Sequence, residues 1–255
     1  MTTIFARSNQ LLTGVLYDFI QEYPTYFHLK SIFSEAWYNF IVPKVDPTQL
    51  DWDHINSTIN HERNLKFQLS YYISHRFLPA YQQYFVEHYH NEQIGSECYV
   101  FKHSNHSLPT VGELVLVENS NIEEYVHCGK VCFPEWDNNE SYARLVYQLQ
   151  QNRTNCMITN YLFRVDQQIV GFGGIIASVN QNLSYFHNVG VLPQYRRRGY
   201  FTAITQHMIN VCLSRGISDT YALVEENEAS YHGYLKLGFA VDDRYYLFTT
   251  QLSFC

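Results

Sequence analysis

In the C-terminal half of the chain, hydrophobic positions change repeatedly between the two-residue period of strands and the longer period of helices. The strand-like segments are Gly112–Val117, Met157–Val165, Ile169–Ala177, Tyr185–Leu192, Tyr221–Glu225 and Arg244–Leu252, the last of them predicted as an edge strand. The helical segments begin near Ile122, after Asp137, after Gly199 and after Asn227. This alternation predicts an α/β (α+β) fold with a mixed central sheet flanked by helices.

Residues 1–105 show a shorter alternation of the same kind. The pattern predicts a helix over Leu11–Phe19 capped by Ser8, a strand over Lys66–Ile73, a helix over Leu78–His88 and a strand over Glu97–Phe101. The polar segment Lys102–Pro109 ends in proline and is typical of a linker. We therefore expect two domains, a smaller N-terminal α/β lobe over 1–105 and a C-terminal domain over 110–255.

Composition narrows the class of protein. Of the 255 residues, 46% are hydrophobic and 16% are charged, which is typical of a globular chain. No apolar run reaches the about 18 residues of a membrane-spanning helix, and the N-terminus lacks the features of a secretion signal. Six cysteines without a Cys-x-x-Cys pair indicate reduced thiols and a cytoplasmic location. Because the net charge is −7, we expect no nucleic acid as a partner. We also expect no membrane partner, and either a monomer or a homodimer.

The candidate chemistry begins at residues 189–201, Val-Gly-Val-Leu-Pro-Gln-Tyr-Arg-Arg-Arg-Gly-Tyr-Phe. An apolar strand runs into Pro193, a basic turn and Gly199, and a helix follows. The first N–H groups of a helix have no intrahelical partners, and the helix dipole places partial positive charge at the same end. With Arg196, Arg197 and Arg198 this turn is suited to bind a diphosphate, although a solvated basic turn has the same composition.

A second motif follows the next predicted strand: Asn227-Glu-Ala-Ser-Tyr-His-Gly-Tyr-Leu-Lys-Leu-Gly-Phe239. The pair Val-x-Val-x-Pro-x-Tyr-Arg-x-x-Gly and Asn-x6-Tyr-x-Lys-Leu-Gly-Phe resembles the acetyl-CoA-binding core of the GNAT N-acetyltransferases. The resemblance covers roughly residues 110–255. One position departs from the family pattern Arg/Gln-x-x-Gly-x-Gly/Ala, because Phe201 stands where a small residue is usual. This departure concerns the shape of the diphosphate loop.

The resemblance implies that acetyl-CoA is the acyl donor and that its pantetheine arm lies between two strands that diverge. The implied donor-binding residues are Asn188, Val189, Gly190, Val191, Arg196, Arg197, Arg198, Gly199, Tyr200, Phe201, Thr202 and Asn227. Gly190 suits a bulge or a close approach of the backbone, and tight core packing is the other interpretation. Asn227 either caps the last helix or reaches the pantetheine arm.

The resemblance also implies a reaction, in which an amine of a small molecule, amino acid or peptide attacks the thioester directly. Tyr234 matches the family tyrosine that gives a proton to the leaving thiolate, and a core tyrosine is the other interpretation. His187 is the expected general base, because histidine titrates near neutrality. Glu225 and Glu226 face opposite sides of a strand, so at most one of them reaches the site.

Other features of the sequence carry alternatives. Gly171–Gly174 has the glycine content of a nucleotide loop, but it lies in an alternating apolar run and is predicted as strand. Four histidines could be considered for a metal site: His88, His90, His103 and His106. Their spacing favours solvated side chains instead, so no metal is expected. The N-terminal lobe weakly resembles the shortened first half of two-lobed acetyltransferases, and an unrelated α+β cap fits nearly as well. The alternative function is a non-catalytic acyl-CoA-binding or interaction protein that keeps the fold.

Overall fold

The structure is a computed structural model that describes residues 4–34, 36, 38–89, 91–134, 139–152, 156–226 and 228–250. The helices are α1 (Ile4–Leu12), α2 (Trp52–Asn64), α3 (Leu78–His88), α4 (Ile122–Cys132), α5 (Asn139–Asn152), α6 (Tyr200–Ser214) and α7 (Ala229–Lys236). The strands are β1 (Tyr17–Glu22), β2 (Tyr26–Ser31), β3 (Phe40–Pro43), β4 (Ser70–Ser74), β5 (Gln93–His103), β6 (Glu113–Leu116), β7 (Met157–Val165), β8 (Gln168–Ser178), β9 (Leu183–Val191), β10 (Asp219–Val224) and β11 (Ala240–Thr249).

The chain divides into two compact units. The C-terminal unit combines residues 1–11 with 100–240, and the N-terminal unit combines 12–99 with 241–255. The predicted boundary near residue 105 lies close to the change of unit after residue 99. The units differ from the predicted domains 1–105 and 110–255 at both ends of the chain. Residues 1–11 are grouped with the C-terminal unit, and residues 241–255 are grouped with the N-terminal unit.

In the C-terminal unit the strand order is β10-β9-β8-β7-β6. Strands β6 to β9 pair in antiparallel fashion, and β9 pairs with β10 in parallel. The turn between β7 and β8 has positive φ at both Asp166 and Gln167, the geometry that a tight hairpin of this twist requires. The apolar faces of α4 and α5 contribute to one core cluster, with Tyr125, Val126 and Ala143 among its buried residues. The predicted α/β fold with a mixed sheet is confirmed.

In the N-terminal unit the strand order is β1-β2-β3-β4-β11-β5. The pairs β1/β2 and β2/β3 are antiparallel, β3/β4 is parallel, and β4/β11 is antiparallel. The core of this unit is rich in aromatic side chains, and it includes Tyr26, Tyr71, Tyr81, Phe85 and Phe248. The predicted helix Leu78–His88 is confirmed with the same bounds as α3.

The helix predicted over Leu11–Phe19 is wrong. Ser8 lies inside α1, and its hydroxyl donates to the carbonyl of Phe5 instead of capping a helix. Gly14 has a φ of +75°, a conformation that ends the helix, so the apolar stripe is divided between α1 and β1. The sequence analysis also missed α2. Its signal was the cap Asp51 followed by Ile55 and Ile59 one helical turn apart.

The last strand is also placed differently from the prediction. We expected an edge strand over Arg244–Leu252, but β11 lies between β4 and β5. Leu247 and Phe248 are buried on opposite faces of it, as in an interior strand. Leu252 lies outside the described residues, as does Asp137, after which a helix was predicted to begin. Asn121 stands at the start of α4 without capping it, because its amide oxygen accepts the Glu118 N–H in the preceding turn.

Candidate functional site

The C-terminal unit contains a cleft where β9 and β10 diverge. The two strands pair from Leu183 opposite Asp219 to Phe186 opposite Ala222. Both continue beyond this point, to Val191 and Val224, without further pairing to each other. A cavity of about 230 Å³ occupies this region, lined by residues that include Phe133, Tyr185, His187, Val189, Val224 and Tyr234. The cleft leaves one edge of the β9 backbone without a strand partner over this stretch.

The backbone of β9 bulges at the mouth of this cleft. Asn188 has a φ of +51°, and the pairing with β8 shifts between Gly174 opposite His187 and Phe172 opposite Gly190. An added Cβ at Gly190 would lie 2.5 Å from the Phe172 ring, so tight packing requires glycine there. The sequence left two interpretations of Gly190 open, a backbone bulge and tight core packing. The structure has the bulge at the neighbouring Asn188 and the tight packing at Gly190 itself.

The start of α6 lies directly after this strand and offers free backbone donors. Gly199 is the N-cap residue with a φ of +81°, and no side chain caps the helix. The first intrahelical bond runs from the Ala203 N–H to the Gly199 carbonyl. The N–H groups of Tyr200, Phe201 and Thr202 therefore point out of the helix end, where the dipole favours an anion.

Three arginines surround this helix end. Arg196, Arg197 and Arg198 are all exposed, and Arg197 has a φ of +63°. The Arg196 Nε donates to the carbonyl of Val191 at 3.1 Å, which ties the turn to the end of β9. Exposed guanidinium groups beside uncapped N–H groups form a site that suits a diphosphate in charge and in donor geometry.

Phe201 fits the turn because its ring leaves the helix end. The ring packs edge-on against Tyr234, with the centroids 5.0 Å apart. An added Cβ at Gly233 would lie 2.6 Å from the Phe201 ring, so a glycine in α7 makes the room. The departure from the family pattern therefore leaves the backbone N–H groups of the turn uncovered. The sequence analysis did not connect Gly233 with Phe201, although a glycine inside a short helix was a signal of close packing.

Tyr234 lies at the cleft and is almost fully buried, at 2% exposed. Its ring contacts Phe201 and also Phe239, at 4.9 Å between centroids. Burial raises the pKa of the Tyr234 phenol well above its usual range, and the neighbouring Tyr185 adds to the shift. The phenol is therefore protonated at neutral pH and can donate a proton or a hydrogen bond into the cleft.

His187 also borders the cleft, but it does not titrate as predicted. The side chain is 3% exposed, and both ring nitrogens lack a hydrogen-bond partner among the described residues. It packs over Gly174 and against the Tyr142 ring, 5.8 Å between centroids. Burial lowers the pKa of His187 to about 3, so the imidazole is neutral near pH 7 and a weak base. The expectation that His187 titrates near neutrality is corrected for this reason.

The other predicted residues lie as follows. Asn227 lies outside the described residues, as does His90. Glu225 is exposed immediately after β10, and Glu226 is half-buried in the next turn. Gly171–Gly174 lies inside β8, as predicted, where Gly174 leaves room for His187. Of the remaining histidines, His103 contacts Asp219 at 2.7 Å, and His88 and His106 are exposed.

The described part of the chain contains no group of three or more His, Cys, Asp or Glu side chains arranged to hold a metal ion. Within the same residues, no helix has the length and apolar character needed to cross a membrane.

Comparisons with known proteins agree with this geometry. The model of the Acetyltransferase (GNAT) family matches residues 122–239. A GCN5-related N-acetyltransferase from Kribbella flavida superposes with a TM-score of 0.66 at 14% identity, covering 98% of this chain and 96% of the other. A GCN5-related N-acetyltransferase from Sphaerobacter thermophilus gives 0.64 at 13% identity, covering 90% and 77% of the two chains.

A third solved structure is a tandem GNAT protein from the clavulanic acid biosynthesis pathway. It superposes with a TM-score of 0.58 at 11% identity, covering 89% of this chain and 79% of the other. At such identities the solved structures show the fold alone. No curated protein matches the chain. The family match shows that residues 122–239 form a GNAT acetyltransferase domain, on a fold shared with solved GNAT N-acetyltransferases.

Proposed function

We propose that the protein is an N-acetyltransferase that moves an acetyl group from acetyl-CoA to the amine of a small molecule, amino acid or peptide. The observation that carries the proposal is the cleft between β9 and β10 immediately beside the uncapped, arginine-rich start of α6. A long donor with a diphosphate at one end and a thioester at the other matches this pairing of an anion site with a cleft lined by both polar and apolar side chains.

The donor is proposed to lie along β9. Its diphosphate binds the N–H groups of Tyr200, Phe201 and Thr202 with help from the exposed guanidinium groups of residues 196–198. The pantetheine amides pair with the free edge of β9 over Asn188–Val191, where β10 no longer pairs. Charge-assisted hydrogen bonds contribute roughly 1.5–3 kcal/mol each, so the diphosphate end supplies most of the affinity.

The chemistry is a direct transfer. The lone pair of the neutral amine attacks the thioester carbonyl carbon, the C–S bond breaks, and the Tyr234 phenol gives its proton to the departing thiolate. The proton lost by the amine passes to bulk solvent, which returns one to the Tyr234 phenolate. Burial lowers the pKa of His187 to about 3, so its imidazole would not keep the proton at neutral pH. His187 is proposed instead to border the acyl end of the cleft as a neutral hydrogen-bonding group.

The location of the protein is also a proposal. The described cysteines Cys98, Cys128, Cys132, Cys156 and Cys212 are free thiols. Cysteines that remain thiols are typical of a reducing compartment, and they support a location in the cytoplasm.

The test is a chromatographic measurement of CoA release from acetyl-CoA with a panel of amines. The panel contains polyamines, aromatic amines, free amino acids and peptides with free N-termini, and mass spectrometry identifies the acetylated product. We expect amine-dependent CoA release with at least one class, and at low acetyl-CoA concentration a rate at least about tenfold lower in the Gly199→Asp variant. Binding of acetyl-CoA without transfer to any class would favour the non-catalytic acyl-CoA-binding protein.

A further inference from the structure

The N-terminal unit repeats the element order of the C-terminal unit. The series β7-β8-β9-α6-β10-α7 has its counterpart in β1-β2-β3-α2-β4-α3. The strand senses also agree, with two antiparallel pairs followed by one parallel pair in each series. The repeat makes α2 the counterpart of α6, and the segment after β3 the counterpart of the diphosphate turn. A second donor site is therefore the obvious expectation for this unit.

We infer that the chain nevertheless holds a single acyl-CoA, because the counterpart site in the N-terminal unit is closed at both ends. The inference rests on the proposed function of the C-terminal unit. It follows from two independent observations in residues 43–81, one at the start of α2 and one at the edge of β3.

The start of α2 repels an anion. Pro47 opens a short 3₁₀ turn before α2, as Pro193 does before α6. The turn then runs Thr48-Gln49-Leu50-Asp51 and contains no arginine. The Asp51 carboxylate caps the helix by accepting the His54 N–H at 3.0 Å, and Asp53 adds a second acid in the first turn. A carboxylate thus occupies one of the N–H donors that a diphosphate would need, and it adds like-charge repulsion.

The strand edge that would pair with pantetheine amides is already satisfied. The Tyr81 hydroxyl donates to the carbonyl of Val45 at 2.8 Å, and Tyr81 is fully buried at 0% exposed. Pro43, in the same segment, has no N–H to offer to a pantetheine amide. The Tyr81 ring belongs to the aromatic core of the unit, where Tyr71 and Phe85 pack against it. A pantetheine arm would have to displace the Tyr81 hydrogen bond and this packing.

The C-terminal unit differs at each of these points. Glycine stands at the helix cap in place of Asp51, and arginines occupy the turn. Beside the end of β9, the C-terminal unit has a cavity, and Tyr234 is one of the residues that border it. One unit thus keeps both parts of a donor site, and the other has replaced both with internal contacts.

Native mass spectrometry of the full chain with acetyl-CoA counts the bound molecules, and calorimetry gives the affinity. We expect one acetyl-CoA per chain. Gly199→Asp copies the acid of the N-terminal unit into the diphosphate turn, at a backbone conformation that aspartate tolerates. It should weaken binding at least about tenfold through like-charge repulsion. The matched variants Asp51→Asn and Tyr81→Phe should change neither the count nor the affinity beyond about twofold.

Two bound molecules per chain would overturn the inference and leave the proposed function standing. A Gly199→Asp chain that binds one molecule as tightly as the wild type would also overturn the inference, because that molecule would then lie outside the diphosphate turn of α6. Absence of binding to the wild-type chain would refute the proposed function together with the single site. Thermal unfolding of each variant shows that it is folded, and Asp51→Asn carries the test alone if Tyr81→Phe is not.

Discussion

Tyr234 combines burial with access to the cleft, and this combination makes the general-acid role testable. A thiol has a pKa near 8.5, so the phenol assists the departing thiolate first through a hydrogen bond, and the transferred proton is the one in that bond. The raised pKa of the Tyr234 phenol keeps that proton in place over the whole range of neutral assays. The hydroxyl would carry the reaction and the ring makes the packing contacts. A substitution that removes only the hydroxyl oxygen therefore tests the first role and keeps the second.

Tyr234→Phe should lower turnover by at least about tenfold, within the typical range of about 10²–10⁴ for general acid catalysis. The affinity for acetyl-CoA and the unfolding temperature should change little, because the ring contacts with Phe201 and Phe239 are kept. Steady-state kinetics and calorimetry measure these quantities. Tyr231→Phe is the matched control on the same helix, since Tyr231 contacts His232 and is similarly buried. Equal turnover in both variants, with chemistry rate-limiting, would reduce Tyr234 to a packing residue.

The contact between Gly233 and Phe201 gives a second prediction at this scale. In a helix, Gly→Ala normally stabilises by roughly 0.5–1 kcal/mol. Here the new methyl group would lie 2.6 Å from the Phe201 ring, so overpacking should reverse the sign and destabilise by about 1–3 kcal/mol. Urea unfolding of Gly233→Ala measures the change. In a Phe201→Ala background the same substitution should become neutral or stabilising, and a cost unchanged by that background would contradict the packing argument.

At the scale of elements, α6 is proposed to bind the donor through its N-terminus. Acetyl-pantetheine lacks the diphosphate, so it loses the charge-assisted bonds to the N–H groups of Tyr200–Thr202 and to the arginine turn. With two such bonds lost, binding should weaken by at least about a hundredfold. Competition calorimetry compares the two ligands. Dephospho-CoA keeps the diphosphate and serves as the control, with an expected affinity close to that of CoA. Equal affinities for acetyl-CoA and acetyl-pantetheine would refute the assignment.

Elements with a strong local pattern were predictable, and those fixed by distant contacts were not. The hairpin of β7 and β8 and the helix α3 follow from alternation, turn residues and helical spacing within the segment itself. The apolar stripe over Leu11–Phe19 was misassigned, because the left-handed conformation of Gly14 divides it into a helix and a strand. The turn around Gly199 was found because an anion site needs glycine, basic residues and a helix start in immediate succession.

At the scale of the whole molecule, the grouping of the two chain ends could not be derived from sequence. Strand β11 carries an ordinary alternating pattern, and only its pairing with β4 assigns it to the N-terminal unit. Likewise, Arg7 contacts Asp219 at 2.8 Å, which groups the first helix with the C-terminal unit. The burial of His187 was equally hidden, since a strand pattern indicates a face and not the depth at which a side chain lies. The repeat of the element order was visible only once every strand had its partner.

Each unit contains a buried histidine, and together they predict how the stability of the molecule depends on pH. Burial is the main cause that lowers the pKa of His187 to about 3 and that of His28 to about 4, although Glu62 opposes the shift of His28. Both values lie below the usual value of about 6.5 for the unfolded chain. Below that pH the unfolded state therefore binds more protons, and the free energy of unfolding falls as the pH falls.

Between about pH 7 and pH 5, each of these histidines should remove about 2 kcal/mol from the free energy of unfolding. Replacing either one with glutamine removes its proton uptake, so His187→Gln and His28→Gln should each flatten the dependence by that amount, whatever their effect at pH 7. Urea unfolding at the two pH values measures the difference, and the exposed His106→Gln is the control that should leave it unchanged. A His187→Gln chain that loses as much stability on acidification as the wild type would show that His187 is reached by water and protonates in the folded state. Such a result would also restore His187 as a candidate base, because an imidazole that titrates in the fold can take the proton of the attacking amine.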